Sequence, residues 1–352
     1  MRTSPVSIPV LFAKGKAAEI LRDSVITNCT AGAEVEKIEK IGHNVLGYLD
    51  NGAASTIVIG AHYDHLGFGS EGSLYRGEPA IHNGADDNAS GTAALIELAR
   101  FLKASDLKKN NYLFMAYSGE EKGLLGSNYY VKHPTMDLST MNYMINMDMV
   151  GRLKPDEKTL LINGTGTSPR WKTLMDSISV DGVKIKSTES GVGPSDHTSF
   201  YLQNIPVLHF FSGTHQDYHK PSDDENLINY DGELSIIHMI ENVVRLTNNS
   251  GKLAFTKTKD DQNEDAPKFK VTLGVVPDYA FDGEGMRIDG VTDGRPAAAA
   301  GLEPGDVVIQ IGDHKVLDMM SYMKALSKFS KGETTKVKVL RHNQEVVKDI
   351  TF

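Results

Sequence analysis

The chain has 352 residues, a formal net charge of −9 at pH 7 and one cysteine, Cys29. This length predicts about two domains, the larger able to bury a full core. A single cysteine excludes an internal disulfide and any cysteine-based zinc site, and the acidic balance argues against a nucleic-acid partner. Because no apolar run reaches about 18 residues, we expect no membrane-spanning helix.

Short, largely apolar runs predict the strands of a sheet covered on both faces. They occupy residues 56–61, 112–117, 143–147 and 206–211. Apolar side chains recur at helical spacing over residues 89–103 and again over residues 227–246. Strands that alternate with helices predict an α/β fold, a three-layer sandwich with a mostly parallel central sheet.

The composition changes after about residue 250. Residues 251–267 are polar and without periodicity, which predicts a linker. From residue 268, short apolar runs and a helical pattern near 319–329 predict a small β-rich unit. Its sequence GRPAAAAGLEPGD at residues 294–306 resembles a PDZ domain, and the resemblance covers residues 268–352.

Five separated stretches offer metal ligands of compatible type. They are residues 60–65, 84–88, 118–121, 146–148 and 217–219. His62, Glu120 with Glu121, and Asp148 each follow a predicted strand. Active-site groups gather at the carboxyl ends of strands in open α/β sheets, so we expect these side chains to converge.

Imidazole and carboxylate form the ligand mixture that a pair of zinc ions prefers. Asp86 lies in a Gly-Ala-Asp-Asp-Asn turn before a predicted helix and suits a bridging carboxylate. His62 and Asp148 would complete one ion, and Glu121 and His219 the other. We therefore expect two Zn²⁺ per chain, bridged by Asp86.

Glu120 is the predicted general base, because neighbouring carboxylates in a turn point different ways and one can bind metal while the other faces the substrate. Asp64, two residues after His62, is predicted to hold the second ring nitrogen of that imidazole. Each residue alone also has an ordinary structural interpretation, such as Asp86 capping a helix. The joint pattern argues against it.

Four motifs together resemble the co-catalytic di-zinc aminopeptidase family, which includes bacterial secreted leucyl aminopeptidase, aminopeptidase S and aminopeptidase Y. The motifs are residues 62–65, 84–91, 118–127 and 217–223, and the resemblance covers roughly residues 35–248. It implies the ligand roles given above, Glu120 as base and a cis peptide between Asp86 and Asp87. It also implies an exported bacterial enzyme, periplasmic or extracellular. The first residues form no apolar signal core, so we expect any targeting segment to lie outside this sequence.

The same resemblance suggests a domain plan. Residues 1–250 would form the peptidase domain, with residues 1–34 as a candidate remnant of a truncated protease-associated domain. Residues 251–267 would form the linker and residues 268–352 the PDZ domain. Peptides with free N-termini are the expected partners.

A further family block, residues 193–200, borders the substrate pocket in relatives. It predicts Asp196, His197 and Phe200 as substrate-binding residues, and Tyr218 beside His219 is a fourth. Some relatives polarise the scissile carbonyl with a tyrosine just upstream of this block, where residues 191–193 here are Gly-Val-Gly. His197 is a candidate substitute.

The PDZ-like unit has two interpretations. Leu273, Gly274, Val275 and Val276 stand where such domains present backbone N–H groups to the carboxylate of a bound peptide. The alternative is a module that only packs on the peptidase and steadies it.

Two other functions remain open from the sequence. One is glutaminyl cyclisation or hydrolysis of a non-peptide amide, where cyclisation would use one working zinc. The other is a catalytically dead protein that binds peptides. An intact Glu120 and a full set of ligands argue against the second.

Overall fold

The computed structural model describes residues 14–22, 39–69, 72–175, 177–178, 180, 182–258, 271–278, 281, 283–292 and 294–352. Residues 1–41 form a separate unit, in which the described element is helix α1 (Gly15–Leu21). The predicted remnant at residues 1–34 otherwise lies outside the described residues, as does the linker beyond residue 258. No helix in the described ranges has the length and apolar character needed to cross a bilayer.

Seven strands build the sheet of the peptidase part. They are β1 (Val45–Leu49), β2 (Thr56–His62), β3 (Asn111–Tyr117), β4 (Met141–Met147), β5 (Thr159–Asn163), β6 (Lys184–Thr188) and β7 (Val207–Phe211). Their order is β1-β3-β2-β4-β7-β5-β6. Strand β2 is parallel to β3 and β4, β4 to β7, and β5 to β6, while β1 and β5 run antiparallel to β3 and β7. The mostly parallel sheet is confirmed.

Helices cover both faces of this sheet. They are α2 (Gly91–Ala104), α3 (Leu125–Lys132), α4 (Pro169–Met175), α5 (His197–Tyr201) and α6 (Tyr230–Thr247). Successive residues of β2 point to opposite sides: Ile57 and Ile59 join a core with α2, α4 and α6, whereas Val58 joins a core with Tyr130 of α3 and Phe200 of α5. The three-layer sandwich follows from this alternation.

The first turn of α6 carries a buried acid. Glu233 is only 6% exposed, and burial, reinforced by Asp86, raises its pKa to about 7. The folded pKa exceeds the unfolded one. The stabilisation from protonated Glu233 is therefore complete below the unfolded pKa of about 4.3 and is lost as pH rises through about 7.

We expect Glu233→Gln to raise the free energy of unfolding by about 3–4 kcal/mol at pH 8 and to change it little at pH 4. Urea denaturation of the metal-free protein at both pH values measures this difference. Asp231→Asn, an exposed acid in the same turn, is the matched control and should give no such gain. An equal effect of Glu233→Gln at both pH values would contradict the expectation.

The C-terminal residues build a second sheet. Its strands are β8 (Val275–Pro277), β9 (Met286–Val291), β10 (Val307–Ile311), β11 (His314–Lys315), β12 (Thr334–Arg341) and β13 (Gln344–Thr351), with helices α7 (Pro296–Ala299) and α8 (Met319–Leu326). The order is β13-β12-β10-β9-β8, with β11 paired to β10, and all pairs are antiparallel. Ile288, Val308 and Val339 lie in a core of its own. The predicted β-rich unit is confirmed.

Candidate metal centre

The predicted ligands lie at one edge of the central sheet. His62 is the last residue of β2, Asp148 follows β4, and Glu120 and Glu121 lie in a short turn after β3. These three strands are neighbours and run parallel. Their carboxyl ends therefore meet, which brings together side chains that are distant in sequence.

The carboxylate of Asp87 lies between two groups of these side chains. Its Oδ1 is 3.4 Å from His62 Nε2, which is 3.3 Å from Asp148 Oδ1. Its Oδ2 is 3.2 Å from His219 Nε2, which is also 3.2 Å from Glu121 Oε2. The two oxygens thus face different groups, which is the arrangement expected of a carboxylate that bridges two cations.

The assignment of the bridge to Asp86 is wrong by one residue. Asp86 is fully buried and its carboxylate is used elsewhere, because Oδ1 accepts a hydrogen bond from Gly151 N at 2.7 Å and Oδ2 lies 3.2 Å from His215 Nε2. The cis peptide likewise lies between Asp87 and Asn88, not between Asp86 and Asp87.

Two polar residues hold the turn that carries Asp87. Asp223 Oδ2 accepts the backbone N–H of Asp86 at 3.0 Å and that of Asp87 at 3.1 Å. Asn88 donates to Met147 O and accepts from Met149 N, so it ties the turn to both sides of Asp148. Sequence reasoning gave neither residue a role. The sequence pointed to Asn88 and Asp223 only through their position in the motifs at residues 84–91 and 217–223.

Asp64 contacts a different partner from the one predicted. Its carboxylate is 3.9 Å from His62 Nδ1, whereas its backbone carbonyl is 3.2 Å from the same nitrogen. The carboxylate instead accepts the backbone N–H of Glu120 at 3.1 Å. Asp64 therefore orients Glu120 through its side chain and His62 through its main chain.

His65 also belongs to the second ligand group, although the sequence did not single it out as a ligand. Its Nδ1 is 2.8 Å from Glu121 Oε1 and 4.0 Å from Asp87 Oδ2. His65, Asp87 and Glu121 are close enough to hold one ion, as are His62, Asp87 and Asp148. Two imidazoles, His65 and His219, are thus available on the Glu121 side.

The donor atoms fit divalent cations. Nδ1 of His65 and Oε1 of Glu121 face each other at 2.8 Å, while Nε2 of His65 is buried without a hydrogen-bond partner among the residues placed by the structure. In each ligand group an imidazole nitrogen and two carboxylate oxygens converge within 4.8 Å, which is the spacing of atoms that could hold a cation. Imidazole nitrogen and carboxylate oxygen without sulfur suit zinc.

The charges of the cluster lead to the same conclusion. Burial would lower the pKa of His62, but Asp148 and Asp87 raise it well above its usual range. Burial also opposes charge on His219, yet hydrogen bonds to Asp87 and Glu121 raise its pKa to about 10. The protonated imidazoles therefore neutralise the surrounding carboxylates. A bound cation would neutralise these carboxylates in their place.

Glu120 differs from its neighbour Glu121. Burial would raise the pKa of Glu121, but hydrogen bonds from His219 and His65 lower it to about 2. For Glu120, burial and the nearby Asp148 together raise the pKa to about 9. Glu120 belongs to neither ligand group. One carboxylate is thus fixed as an anion, while the other is poised to carry a proton.

Three of the predicted substrate-binding residues are inaccessible. Asp196, His197 and Phe200 are fully buried. Phe200 packs against Tyr117 and Tyr130, with ring centroids 6.2 Å from each. The assignment of Phe200 to the substrate pocket is therefore wrong, because its ring belongs to the core.

His197 cannot polarise a substrate carbonyl in this arrangement. Its ring stacks on His209 at 4.5 Å, and burial lowers its pKa well below the usual range. Tyr218 is different, since it is partly exposed and stacks on His219 at 3.8 Å. Of the four predicted substrate contacts, Tyr218 alone lies beside the ligands with accessible surface.

Comparisons with known proteins give a consistent set of relatives. A "Probable leucine aminopeptidase" of Arthroderma otae is 30% identical over 199 residues, which are 54% of this chain and 51% of the relative. "Aminopeptidase YwaD" of Bacillus subtilis is 31% identical over 176 residues, 47% of this chain and 35% of the relative. The chain thus spans about half or less of the length of these relatives.

Solved structures are similar over comparable ranges. BSAP, described as a zinc aminopeptidase from Bacillus subtilis, shares 27% identity with a TM-score of 0.49, covering 61% of this chain and 51% of that one. The LapA aminopeptidase of Legionella pneumophila shares 24% identity with a TM-score of 0.45, covering 57% of each chain.

Family models divide the chain into two parts. The PDZ domain model matches residues 245–351. The model for peptidase family M28 matches residues 44–244, which is more than half of the 352 residues. With this match, the chain belongs to peptidase family M28.

Proposed function

We propose that the protein is a zinc-dependent aminopeptidase that removes N-terminal residues from peptides and holds two zinc ions bridged by Asp87. The observation that carries the proposal is the position of Asp87, whose oxygens each lie 3.2–3.4 Å from an imidazole of a different ligand group. His62 and Asp148 would hold one ion. Glu121 with His219 or His65 would hold the other.

The chain's own groups would divide the remaining work. Bound zinc would supply Lewis-acid polarisation and make hydroxide available near neutral pH. Beside the positive charge of bound zinc, Glu120 would have a lower pKa, and its ionised carboxylate would accept the proton of the attacking water and pass it to the leaving amine. Asp64 would keep Glu120 in place through the bond to its backbone N–H. Tyr218 would contact the substrate beside His219.

The names of the relatives support the reaction, since those quoted above are called aminopeptidases. We also propose that residues 1–250 and 268–352 are the peptidase and PDZ domains with a linker between them, which agrees with a separate core that begins at Val271. Export to the periplasm or the cell exterior is part of the same proposal.

Metal removal tests the function. We expect the protein to release zinc to a chelator, to lose hydrolysis of aminoacyl nitroanilides at the same time, and to regain it when zinc is restored. The matched control is an N-acetylated aminoacyl nitroanilide, which should never be cleaved. Zinc content of one ion per chain, with cyclisation of N-terminal glutamine and no hydrolysis, would favour the cyclase alternative. Hydrolysis that continues unchanged in the presence of the chelator would refute the proposal.

A further inference from the structure

One face of strand β9 contacts the peptidase part. Met286 and Ile288 point into the PDZ core, while Arg287 and Asp289 alternate with them on the other face. Asp289 is also the extra residue where the pairing of β8 and β9 changes register, between Ile288 and Gly290. Such bulges re-aim side chains, and here the carboxylate of Asp289 points to the peptidase part.

The carboxylate of Asp289 contacts two separate segments of that part. Its Oδ1 accepts from Lys154 Nζ at 3.1 Å, and its Oδ2 lies 3.1 Å from the hydroxyl of Thr214. Thr214 is only 6% exposed. The Thr214 end of the contact is therefore shielded from water, whereas the charge-assisted bond comes from Lys154, whose side chain is 35% exposed.

Both segments carry proposed zinc ligands. Lys154 lies in the segment that follows Asp148, and Thr214 lies in the loop that leads to His219. Within the peptidase part, Arg152 and Asp217 already link the same two segments at 3.3 Å. Asp289 adds a second link, so a residue of the PDZ part joins the segments that carry Asp148 and His219.

Further polar contacts fix the orientation of β9. Arg287 binds Asp278 at 2.6 Å and reaches Glu157 of the peptidase part at 3.2 Å. Lys186 of β6 donates to the carbonyl of Phe281 at 2.8 Å. The contact therefore depends on several directed bonds on both sides of Asp289.

The edge strand of the PDZ sheet, where such domains add a peptide, also contacts Thr214. Strand β8 is the edge strand of this sheet. The carbonyl of Gly274 and the N–H of Asp278 bond toward β9. Because the bonding direction of backbone groups alternates along a strand, the backbone groups of Val275 and Pro277 face the open edge. Pro277 has no N–H to donate to an added strand. Its carbonyl already accepts from the hydroxyl of Thr214 at 2.7 Å.

We propose that the PDZ domain braces the metal centre, with Asp289 as a positioning residue that acts through Lys154 and Thr214 on the segments carrying Asp148 and His219. This favours the packing interpretation of the domain over capture of an extended peptide. The effect on zinc rests on the proposed function, whereas the bracing itself does not.

Asp289→Asn in the full chain tests the brace, because asparagine keeps the shape and removes the charge. Hydrogen–deuterium exchange of the metal-free protein is expected to rise in residues 212–219 and to stay unchanged in β10 and β12. Zinc release from the loaded protein to a chromogenic chelator is expected to become about tenfold faster, near the lower end of what supporting residues contribute. The matched control is Asp349→Asn, which removes an exposed carboxylate paired with Lys336 in the same domain and should change neither value.

Unchanged exchange over residues 212–219 would overturn the proposal, whatever the zinc result. Should Asp289→Asn raise exchange throughout the PDZ strands, Thr214→Val replaces it, since this variant cuts the same contact from the peptidase side. It must then raise exchange in residues 212–219, and an unchanged value overturns the brace. A wild-type protein that binds no zinc would refute the proposed function, while the exchange result still decides the brace.

Discussion

Glu120→Gln is expected to lower kcat by about 100- to 10,000-fold, the contribution typical of a general base, while zinc content stays at the wild-type value. The amide cannot accept the proton of the attacking water. Zinc should remain because the side chain of Glu120 belongs to neither ligand group. Metal analysis and steady-state kinetics on the same preparation measure both quantities.

The adjacent residue is the matched control. Glu121→Gln makes the same chemical change one position along, but Glu121 Oε2 lies 3.2 Å from His219 Nε2 within a ligand group. This variant should lose zinc together with activity. If Glu120→Gln lost zinc as well, Glu120 would be a ligand and the base would have to be sought elsewhere.

Asp87→Asn is expected to reduce zinc affinity and kcat/KM by more than about 100-fold, beyond the range that residues outside the ligand set contribute. Among the residues that the structure describes, the carboxylate of Asp87 is the one that faces both His62 and His219, and an amide offers one neutral oxygen in place of two charged ones. Zinc titration against a competing chelator, with the activity of each sample, measures the loss.

Asp86→Asn distinguishes the role of Asp86 from that of Asp87. Asp86 accepts from Gly151 N and Ser90 Oγ rather than facing the ligands, so this variant should keep zinc and lose about 1–3 kcal/mol of stability through an unpaired buried group. Thermal denaturation together with zinc content distinguishes the pair. Zinc loss in Asp86→Asn with retention in Asp87→Asn would return the bridge to Asp86.

The central strands of the sheet could be predicted from the sequence because central parallel strands are buried on both faces. Residues 56–62 and 141–147 have no exposed position, and most of their side chains are apolar. Strand β6 carries polar residues and lacks that pattern, whereas β1 has the apolar sequence VLGYL but is largely exposed. Both lie at the ends of the sheet, where burial does not constrain composition.

The finer errors have a physical cause as well. Asp86 and Asp87 are chemically identical neighbours in an irregular turn, where no periodicity tells which carboxylate faces the ligands. The partner of His62 is a main-chain oxygen of Asp64, which no side-chain pattern can reveal. Phe200 occurs in a motif near the site, yet its burial depends on Tyr130, which belongs to another helix.

The main-chain contact of Asp64 has a consequence for how this site can change. The carbonyl that faces His62 Nδ1 is present with any amino acid at position 64, whereas the carboxylate that holds Glu120 is present only with aspartate. The orientation of the His62 ring therefore depends on the backbone at residue 64 and should not change when the side chain of residue 64 is substituted. Mutation at this position can thus alter proton transfer separately from metal retention, although one residue serves both.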